Sequence, residues 1–292
     1  MRFIDDFTDY ELIDAVNGER LERWGDIILI RPDPQIIWDG VKNDSRWFNA
    51  HARYHRSSSG GGHWEILKKV PDVWSIKYGE LTFRLKPMGF KHTGLFPEQA
   101  VNWSLADKII RNANRPVKVL NLFAYTGGAT IACLNAGASV THVDASKGMV
   151  QWAKENAVAS NLADRQVRWL VDDCVKFVKR EIRRGNTYDA VIMDPPSYGR
   201  GPDGEVWKLE QQIGELLTET AKLLSDKPLF LFLNSYTGGL SPTILNYMVK
   251  TTFPNLLGSN VFTDEIGLKV TNRNIVLPCG NTTVWTGSDI DG

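Results

Sequence analysis

The sequence is poor in the features that mark disulfide-rich, metal-binding and membrane-spanning proteins. It has three cysteines in 292 residues, far apart and without a C-x-x-C pair, so a disulfide framework and a structural zinc site are not expected. No apolar run reaches about 18 residues, the length that a membrane-spanning helix needs. The amino-terminal segment is acidic and therefore unlike a signal or transit peptide. We expect a soluble cytoplasmic protein in a reducing compartment.

The sequence also lacks an excess of charge, and its first strand-to-helix turn lacks a dinucleotide-binding motif. Thirty-four basic residues balance thirty-four acidic ones, so the field of the whole chain does not steer it toward nucleic acid, and such a partner would need a local basic patch. The strand-to-helix turn "VLNLFAYTGGAT" lacks the dinucleotide fingerprint G-x-G-x-x-G, which disfavours a nicotinamide or flavin enzyme. The five histidines are scattered, and no cluster of side chains at ligand spacing indicates a catalytic metal.

What the sequence does contain, from about residue 118 onward, is an alternation of strand-like and helix-like segments. Five apolar strands are separated by segments with helical period: "KVLNLF", "SVTHVD", "QVRWLV", "YDAVIM" and "PLFLFLN". Two further strand candidates follow them. This pattern predicts an α/β, Rossmann-like, mostly parallel seven-stranded sheet with helices on both faces and ligands at the carboxyl ends of the strands.

The first 90 residues have a different pattern. Short strand-like segments such as "WGDIILIRP" and "LTFRLKP" are separated by Pro, Gly and Asp, which is typical of a small β-rich unit. We predict two domains, a β-rich domain over 1–90 with a possible role in substrate binding and an α/β domain over 91–292.

A basic and aromatic stretch, "RWFNAHARYHRSSSGGGHW", lies between these short strands. Its "SSSGGG" core has little to pack and predicts a mobile loop. Guanidinium groups interleaved with aromatic rings are what unpaired bases stack on, and a solvated loop beside a small core is the alternative. The candidate residues are Arg46, Trp47, Phe48, Arg53, Tyr54, Arg56, Trp64, Lys68 and Lys69.

Polar residues that end the first three of the five strands suggest a site for a nucleoside. In "VLNLFAYTGGAT", Gly127 and Gly128 would let backbone N–H groups at a helix start face a ligand, although a simple helix-start turn explains them as well. Asp144 could accept hydrogen bonds from both hydroxyls of a ribose. Asp172 and Asp173 could face an adenine edge, and either could instead be the N-cap of the next helix.

In this order, the motifs "HTGLFPEQ", "LNLFAYTGG", "VDAS", "WAKENA" and "DPPSYGRG" resemble the class I S-adenosylmethionine-dependent methyltransferases. More narrowly, they resemble the group that includes the large-subunit ribosomal RNA cytosine-C5 and guanine-N7 methyltransferases. The resemblance covers about residues 90 to 240. Of the three alternating class glycines only Gly127 is kept, since Phe123 and Tyr125 occupy the other two positions. The group's "FLDQR" block reads "FPEQA" here, so its arginine is lost at Ala100.

The resemblance implies S-adenosylmethionine as cofactor and assigns residues to parts of it. Phe96 and Gln99 would lie beside the cofactor, the segment 123–127 would wrap its methionine portion, Asp144 would hold the ribose and 172–174 would flank the adenine. The full set of cofactor-binding candidates is Phe96, Gln99, Asn121, Phe123, Tyr125, Thr126, Gly127, Asp144, Ala145, Ser146, Asp172, Asp173 and Cys174.

The corner "DPPSYG" after the fourth strand is the candidate catalytic element. In similar enzymes an acid or amide followed by two prolines and an aromatic residue lines the place where a flat nitrogen nucleophile meets the methyl group. Prolines fix φ and lack N–H donors, so carbonyl oxygens and an acid remain as acceptors for an amine. The catalytic candidates are Asp194, Pro195, Pro196 and Tyr198, the last shifted by one position because Ser197 occupies the usual aromatic place. A turn that merely ends the strand is the alternative.

The choice of methylated atom depends on cysteine. Methylation at a pyrimidine C5 needs a cysteine nucleophile, and neither "DPPSYG" nor "LNSYTGG" contains one, so a nitrogen of a nucleic-acid base is favoured, with RNA, ribosomal RNA above all, as the expected partner. Asn234 and Ser235 could add polar contacts to the substrate. Two alternatives stay open. One is a protein or small-molecule substrate. The other is a cofactor-binding module without turnover, which the loss of the class glycines at Phe123 and Tyr125 supports.

Overall fold

The computed structural model describes residues 1–57, 61–253 and 261–287. They divide into two units. The β-rich unit comprises Phe3–Glu98 and Gly267–Pro278, and the α/β unit comprises Met1–Arg2, Gln99–Ile266 and the described residues from Cys279 onward. The division after the amino-terminal strands falls between Glu98 and Gln99, and within the β-rich unit the Lys91 carbonyl accepts from Arg31 at 3.1 Å.

The β-rich unit is built from short strands in chain order. They are β1 (Tyr10–Val16), β2 (Glu19–Trp24), β3 (Ile27–Pro32), β4 (Ala52–Arg56), β5 (Gly62–Ile66), β6 (Trp74–Tyr78) and β7 (Leu81–Leu85). Strands β1 to β5 are neighbours in that order, all antiparallel except the β3–β4 pair, and β6 and β7 form a separate hairpin. A short 3-10 helix, Ser45–Phe48, precedes β4. Asn17 and Gly18 join β1 to β2 with positive φ at both positions, as a tight hairpin turn requires.

Burial and ion pairs account for part of the predicted base-stacking surface. Trp47 and Tyr54 are buried in the β-rich unit, because strand alternation turns Tyr54 inward and Trp47 donates to Asp14 at 2.8 Å. Arg46 pairs with Asp44 at 2.7 Å and Arg53 with Glu19 at 2.6 Å. These four candidates are therefore core or neutralised surface, whereas Phe48, Arg56, Lys68 and Lys69 are exposed. The predicted mobile loop falls on 58–60, which lie outside the described residues.

The α/β unit contains the predicted alternation. Its helices are α1 (Ala100–Asn112), α2 (Gly128–Asn135), α3 (Lys147–Ala159), α4 (Cys174–Arg183), α5 (Leu209–Ala221) and α6 (Pro242–Thr252). Its strands are β8 (Lys118–Leu122), β9 (Ser139–Asp144), β10 (Val167–Val171), β11 (Ala190–Met193), β12 (Tyr198–Arg200), β13 (Val206–Lys208), β14 (Phe230–Ser235), β15 (Val261–Val270) and β16 (Ile275–Thr286). Strands β15 and β16 supply residues to both units.

The prediction of an α/β fold with a mostly parallel sheet is confirmed. The order in this unit is β10-β9-β8-β11-β14-β16-β15, with parallel pairing from β10 to β14 and antiparallel pairing between β14 and β16. The helices pack in two groups, α1 with α2 and α3, and α4 with α5 and α6. Strands β12 and β13 form a small separate hairpin that the sequence reading did not anticipate.

Strand register decides which residues meet at the carboxyl edge. Leu122, the last residue of β8, pairs with Val143 on one side and with Met193 on the other. Since parallel strands end together, the residues that follow them share one edge. The chain thereby brings the loop after β8, Asp144 and Asp194 to adjacent positions.

A buried acid on α4 stabilises the opposite, amino-terminal edge of this sheet. Glu181 has no solvent exposure and accepts hydrogen bonds from Tyr188 at 2.6 Å, Asn186 at 2.9 Å and Arg168 at 3.1 Å. Burial alone would raise its pKa, but these donors outweigh that effect and hold the pKa of Glu181 at about 2, below its ordinary 4.5.

Replacing Glu181 with alanine is expected to lower the free energy of unfolding by about 1 to 3 kcal/mol at neutral pH, because the buried Tyr188 hydroxyl then loses its acceptor. A carboxyl whose pKa is lower in the folded protein stabilises the fold at pH values above its ordinary, unfolded pKa. This contribution is lost as the pH falls through the folded pKa. The difference from wild type should therefore shrink between about pH 4.5 and pH 2 in urea unfolding. Glu219→Ala, which removes a surface pair with Lys222, is the control, expected to cost under about 1 kcal/mol. Equal losses, or a pH-independent difference, would contradict the assignment.

Candidate functional site

The loop after β8 has alternating left-handed backbone. Phe123, Tyr125 and Gly127 have φ of 54°, 50° and 84°, and such values cost a residue with a side chain about 1–2 kcal/mol. Side chains outside the loop hold it: the Phe123 N–H donates to Cys174 Sγ at 3.3 Å and the Tyr125 N–H donates to Asp144 Oδ2 at 2.8 Å. The loop thus keeps its conformation although its first two residues with positive φ, Phe123 and Tyr125, are not glycines.

The glycine pair closes this loop onto α2. Gly127 is the N-cap residue of α2, and a Cβ there would lie 2.9 Å from the Ala153 Cβ. A Cβ on Gly128 would lie 2.6 Å from the Trp103 ring. Both positions therefore need glycine for close packing, and the free N–H groups of the first helical turn carry the positive end of the helix dipole.

Asp144 ends β9 and ties two backbone segments together. Its Oδ2 accepts from Tyr125 and its Oδ1 accepts from the Ser146 N–H at 2.8 Å. Burial raises the pKa of Asp144, and the two N–H donors oppose that rise. Each carboxylate oxygen can accept a further hydrogen bond, so the group suits a pair of vicinal hydroxyls. Ser146, after Ala145, is the N-cap of α3 and accepts from Met149.

The three residues predicted beside the adenine have different surroundings. Asp173 is the N-cap of α4 and accepts from the Lys176 N–H at 2.8 Å, so the alternative raised from the sequence describes this side chain. Asp172 donates its N–H to the Asp144 carbonyl at 3.0 Å and its carboxylate pairs with Arg180. Cys174 is buried behind Phe123. Asp172 is thus hydrogen-bonded to the end of β9, and Cys174 to the loop after β8.

Two other predicted residues support the loop from behind. Asn121 is buried and donates to Thr130 Oγ1 at 2.9 Å, and this hydroxyl shares a 3.0 Å hydrogen bond with His142. The buried Thr126 accepts through its carbonyl from Asn156 at 2.9 Å. His142 and Asn156 were missed as contributors to the site, although Asn156 stands in the quoted "WAKENA" motif.

Gln99 belongs to a buried polar network of the α/β unit. It donates to the Tyr236 hydroxyl at 2.8 Å and accepts from Asn102 at 2.8 Å. Asn102 also donates to Asn234 at 3.1 Å, and Asn234 accepts from Thr282 at 2.7 Å. Asn234 and its neighbour Ser235, which the sequence suggests as contacts to substrate, are both buried, and the Asn234 oxygen accepts hydrogen bonds from Asn102 and Thr282.

Phe96 lies in the β-rich unit. There its ring centroid is 5.1 Å from that of His92, whose pKa is lowered to about 3, chiefly by burial.

The corner after β11 is braced on two sides. The Asp194 N–H donates to the Leu122 carbonyl at 3.4 Å, and Ser197 Oγ lies 2.6 Å from Thr237 Oγ1. The Pro196 carbonyl accepts from the Trp207 indole at 2.7 Å, so one lone pair of this oxygen is used within the fold. Pro195 is buried and Pro196 exposed. Trp207, which the sequence reading missed, also packs 5.0 Å from the Phe123 ring and so links the corner to the loop after β8.

These contacts place the Asp144 carboxylate, the loop after β8 and the proline corner at one edge of a parallel sheet. A family model described as S-adenosylmethionine-dependent methyltransferase matches residues 37–233. The chain belongs to the S-adenosylmethionine-dependent methyltransferase family. This enzyme is 36% identical to the SAM-dependent methyltransferase from Agrobacterium tumefaciens, whose crystal structure superimposes with a TM-score of 0.90 over 96% of this chain and 91% of that one.

Two curated relatives of the methyltransferase are named ribosomal RNA large subunit methyltransferase K/L. The one from Shewanella frigidimarina is 30% identical and the one from Shewanella oneidensis 32% identical, each over 80% of this chain and 32% of the relative. The methyltransferase therefore spans about a third of the length of the curated relatives it matches.

The residues of the site fit the family cofactor. The Asp144 carboxylate keeps lone pairs for ribose hydroxyls beside its two N–H donors, and the turn at Gly127 leaves no room for a side chain. S-adenosylmethionine, predicted from the motifs, is the methyl donor of this family. In the part of the chain that the structure describes, none of the helices has the length and hydropathy needed to span a membrane.

Proposed function

We propose that this methyltransferase transfers the methyl group of S-adenosylmethionine to a nitrogen of an RNA base, with ribosomal RNA as the substrate. The observation that carries the proposal is the position of Asp194. Its strand pairs in register with β8, Met193 opposite Leu122, so its carboxylate follows directly beside the loop that binds the cofactor. The names of the two Shewanella relatives support RNA as the substrate.

Each part of the site has a separate task in this proposal. Bound S-adenosylmethionine supplies an electrophilic methyl group on a sulfonium. Asp144 accepts the ribose hydroxyls, and the loop at 123–127 encloses the methionine portion, while Asp172 and Cys174 lie beside the adenine. Asp194 would accept a hydrogen bond from an N–H of the incoming base and orient the nitrogen lone pair toward the methyl group, so catalysis is chiefly alignment and exclusion of water. S-adenosylhomocysteine would leave, and the proton lost by the methylated nitrogen would pass to the Asp194 carboxylate and then to water. Gln99 completes the cofactor surroundings within the α/β unit.

The chemistry of the cysteines supports a nitrogen acceptor. Cys133, Cys174 and Cys279 are all buried. Burial raises the pKa of Cys133 to about 12 and that of Cys174 well above its ordinary value. Attack on a pyrimidine ring requires an exposed thiolate, and neither of these thiols ionises near neutral pH. A base nitrogen carries its own lone pair and needs no such nucleophile.

We further infer that the α/β unit is a complete methyltransferase domain with a seven-stranded sheet, formed by β8 to β11 and β14 to β16. The parallel order with one antiparallel strand beside β14 supports this. The β-rich unit then serves as an accessory domain that contributes to substrate binding.

Transfer of a labelled methyl group separates the candidate substrates. Purified full-length protein is incubated with methyl-labelled S-adenosylmethionine and either total RNA or total protein from bacteria. We expect label in RNA, abolished by ribonuclease. Label in protein alone would assign a different substrate, and cofactor binding without any transfer would indicate a module that has lost turnover.

A further inference from the structure

The hairpin of β12 and β13 follows the Asp194 corner directly. Its register pairs Tyr198 with Lys208, Gly199 with Trp207 and Arg200 with Val206. Residues directly opposite each other in an antiparallel pair point to the same face, and neighbours along a strand alternate. The hairpin therefore has an inner face, Gly199 and Trp207, and an outer face, Tyr198, Arg200, Val206 and Lys208.

The inner face fixes the hairpin to the corner. Trp207 is buried and donates to the Pro196 carbonyl. A Cβ on Gly199 would lie 3.4 Å from Pro196 Cγ, so the strand runs in close contact with the proline ring. The outer face is consequently held at a constant position relative to Asp194.

The outer face is exposed and carries uncompensated positive charge. Tyr198 is 53% exposed and Val206 45% exposed, and Arg200 and Lys208 are exposed as well. Neither the guanidinium of Arg200 nor the ammonium of Lys208 has an ion pair with any residue in the described ranges.

The acids of the hairpin turn do not neutralise this face. Lys176 on α4 pairs with Glu205 and lies 3.6 Å from Asp203. The two cations of the outer face thus differ from Arg46 and Arg53 of the β-rich unit, whose charges are matched by carboxylates.

We propose that the outer face of the β12–β13 hairpin binds a single-stranded RNA segment that flanks the methylated base, an inference that rests on the proposed RNA substrate. Arg200 and Lys208 would neutralise two phosphates. The exposed ring of Tyr198 would stack on an unpaired base, which a duplex does not offer because its bases are stacked on each other. The sequence predicts Tyr198 as a catalytic residue. Here it is assigned instead to stacking on a base next to the one that receives the methyl group.

Binding of a fluorescein-labelled oligouridylate, followed by anisotropy at several salt concentrations, tests the proposal in the full-length protein. The double variant Arg200→Ala/Lys208→Ala should bind about tenfold or more weakly at about 0.1 M salt. Its plot of log affinity against log salt should be shallower by about 1.4, since each phosphate contact with a single strand contributes about 0.7. The matched control is Lys154→Ala/Lys250→Ala, which removes the same charge from two exposed helical positions and should behave as wild type.

Tyr198 gives an independent readout. Tyr198→Ala should weaken oligouridylate binding about fivefold or more, whereas Tyr198→Phe should keep wild-type affinity because stacking uses the ring. Affinity for S-adenosylmethionine, measured by calorimetry, should be unchanged in the hairpin double variant. Equal RNA affinity in the hairpin and control double variants, or loss of cofactor binding in the hairpin variant, would overturn the proposal.

The outcomes distinguish this inference from the proposed function. If wild-type protein methylates RNA but the hairpin double variant matches its control, only the hairpin assignment is wrong. If wild-type protein neither binds the oligouridylate nor labels RNA, the RNA substrate is wrong and the hairpin assignment falls with it.

Discussion

Replacing Asp194 with alanine is expected to slow methyl transfer to RNA about 10²- to 10³-fold, the effect of removing one preorganised electrostatic contact in an active site. The affinity for S-adenosylmethionine should not change comparably, because in this account Asp194 contacts the acceptor base and not the cofactor. Single-turnover transfer rates and calorimetric titration with the cofactor measure the two quantities separately.

Two variants sharpen the Asp194 experiment. Asp194→Asn keeps one acceptor oxygen and should lose less activity than Asp194→Ala. Asp226→Ala, at an exposed position between α5 and β14, removes a carboxylate of the same charge and should leave the rate unchanged. An unaltered transfer rate in Asp194→Ala would remove this residue from the catalytic site.

Replacing Asp144 with alanine is expected to weaken S-adenosylmethionine binding about 100-fold or more. The change removes the acceptor of the ribose hydroxyls, and hydrogen bonds to a charged group are worth about 1.5–3 kcal/mol each. It also leaves the Tyr125 and Ser146 N–H groups without the oxygens they donate to, so the cofactor loop loses its support. Calorimetric titration with S-adenosylmethionine and S-adenosylhomocysteine gives the two dissociation constants.

The matched control for Asp144 is Asp107→Ala on α1, where the carboxylate pairs with Arg111 at the surface. This variant should bind both ligands with wild-type affinity. Wild-type affinity in Asp144→Ala would show that the ribose is held elsewhere and would move the cofactor site away from the end of β9.

The sheet and the positions of its ligand-facing ends could be predicted from the sequence because both follow from local patterns. Apolar strands alternating with helical segments dictate parallel pairing, and the residues that end those strands must then meet at one edge. Asp144 and Asp194 were placed at that edge in this way, and the structure brings the strand ends together as expected.

Side-chain direction within that edge could not be predicted, because it depends on partners far along the chain. Asn234 lies one residue before the end of β14, yet its amide oxygen accepts hydrogen bonds from Asn102 and Thr282 within the fold. Arg53 is neutralised by Glu19, which precedes it by two strands. The hairpin face with unpaired cations was missed for the same reason, since the pairing of Asp203 and Glu205 with Lys176 is visible only in the structure.

The substitution of two class glycines shows how a motif can be lost while its geometry is kept. Phe123 and Tyr125 retain positive φ because Cys174 and Asp144 accept from their N–H groups. Each of these hydrogen bonds offsets part of the free-energy cost of placing a residue with a side chain at positive φ. The sequence departure that suggested a module without turnover is therefore compensated within the fold.

The most direct test of the account is to identify the atom that receives the methyl group. Ribosomal RNA from bacteria is incubated with the protein and S-adenosylmethionine carrying a deuterated methyl group, then digested to nucleosides and analysed by mass spectrometry. The account predicts a labelled nucleoside with the methyl group on a base nitrogen, formed by wild-type protein and not by Asp194→Ala. Label on a pyrimidine carbon, on ribose or only on protein would contradict it.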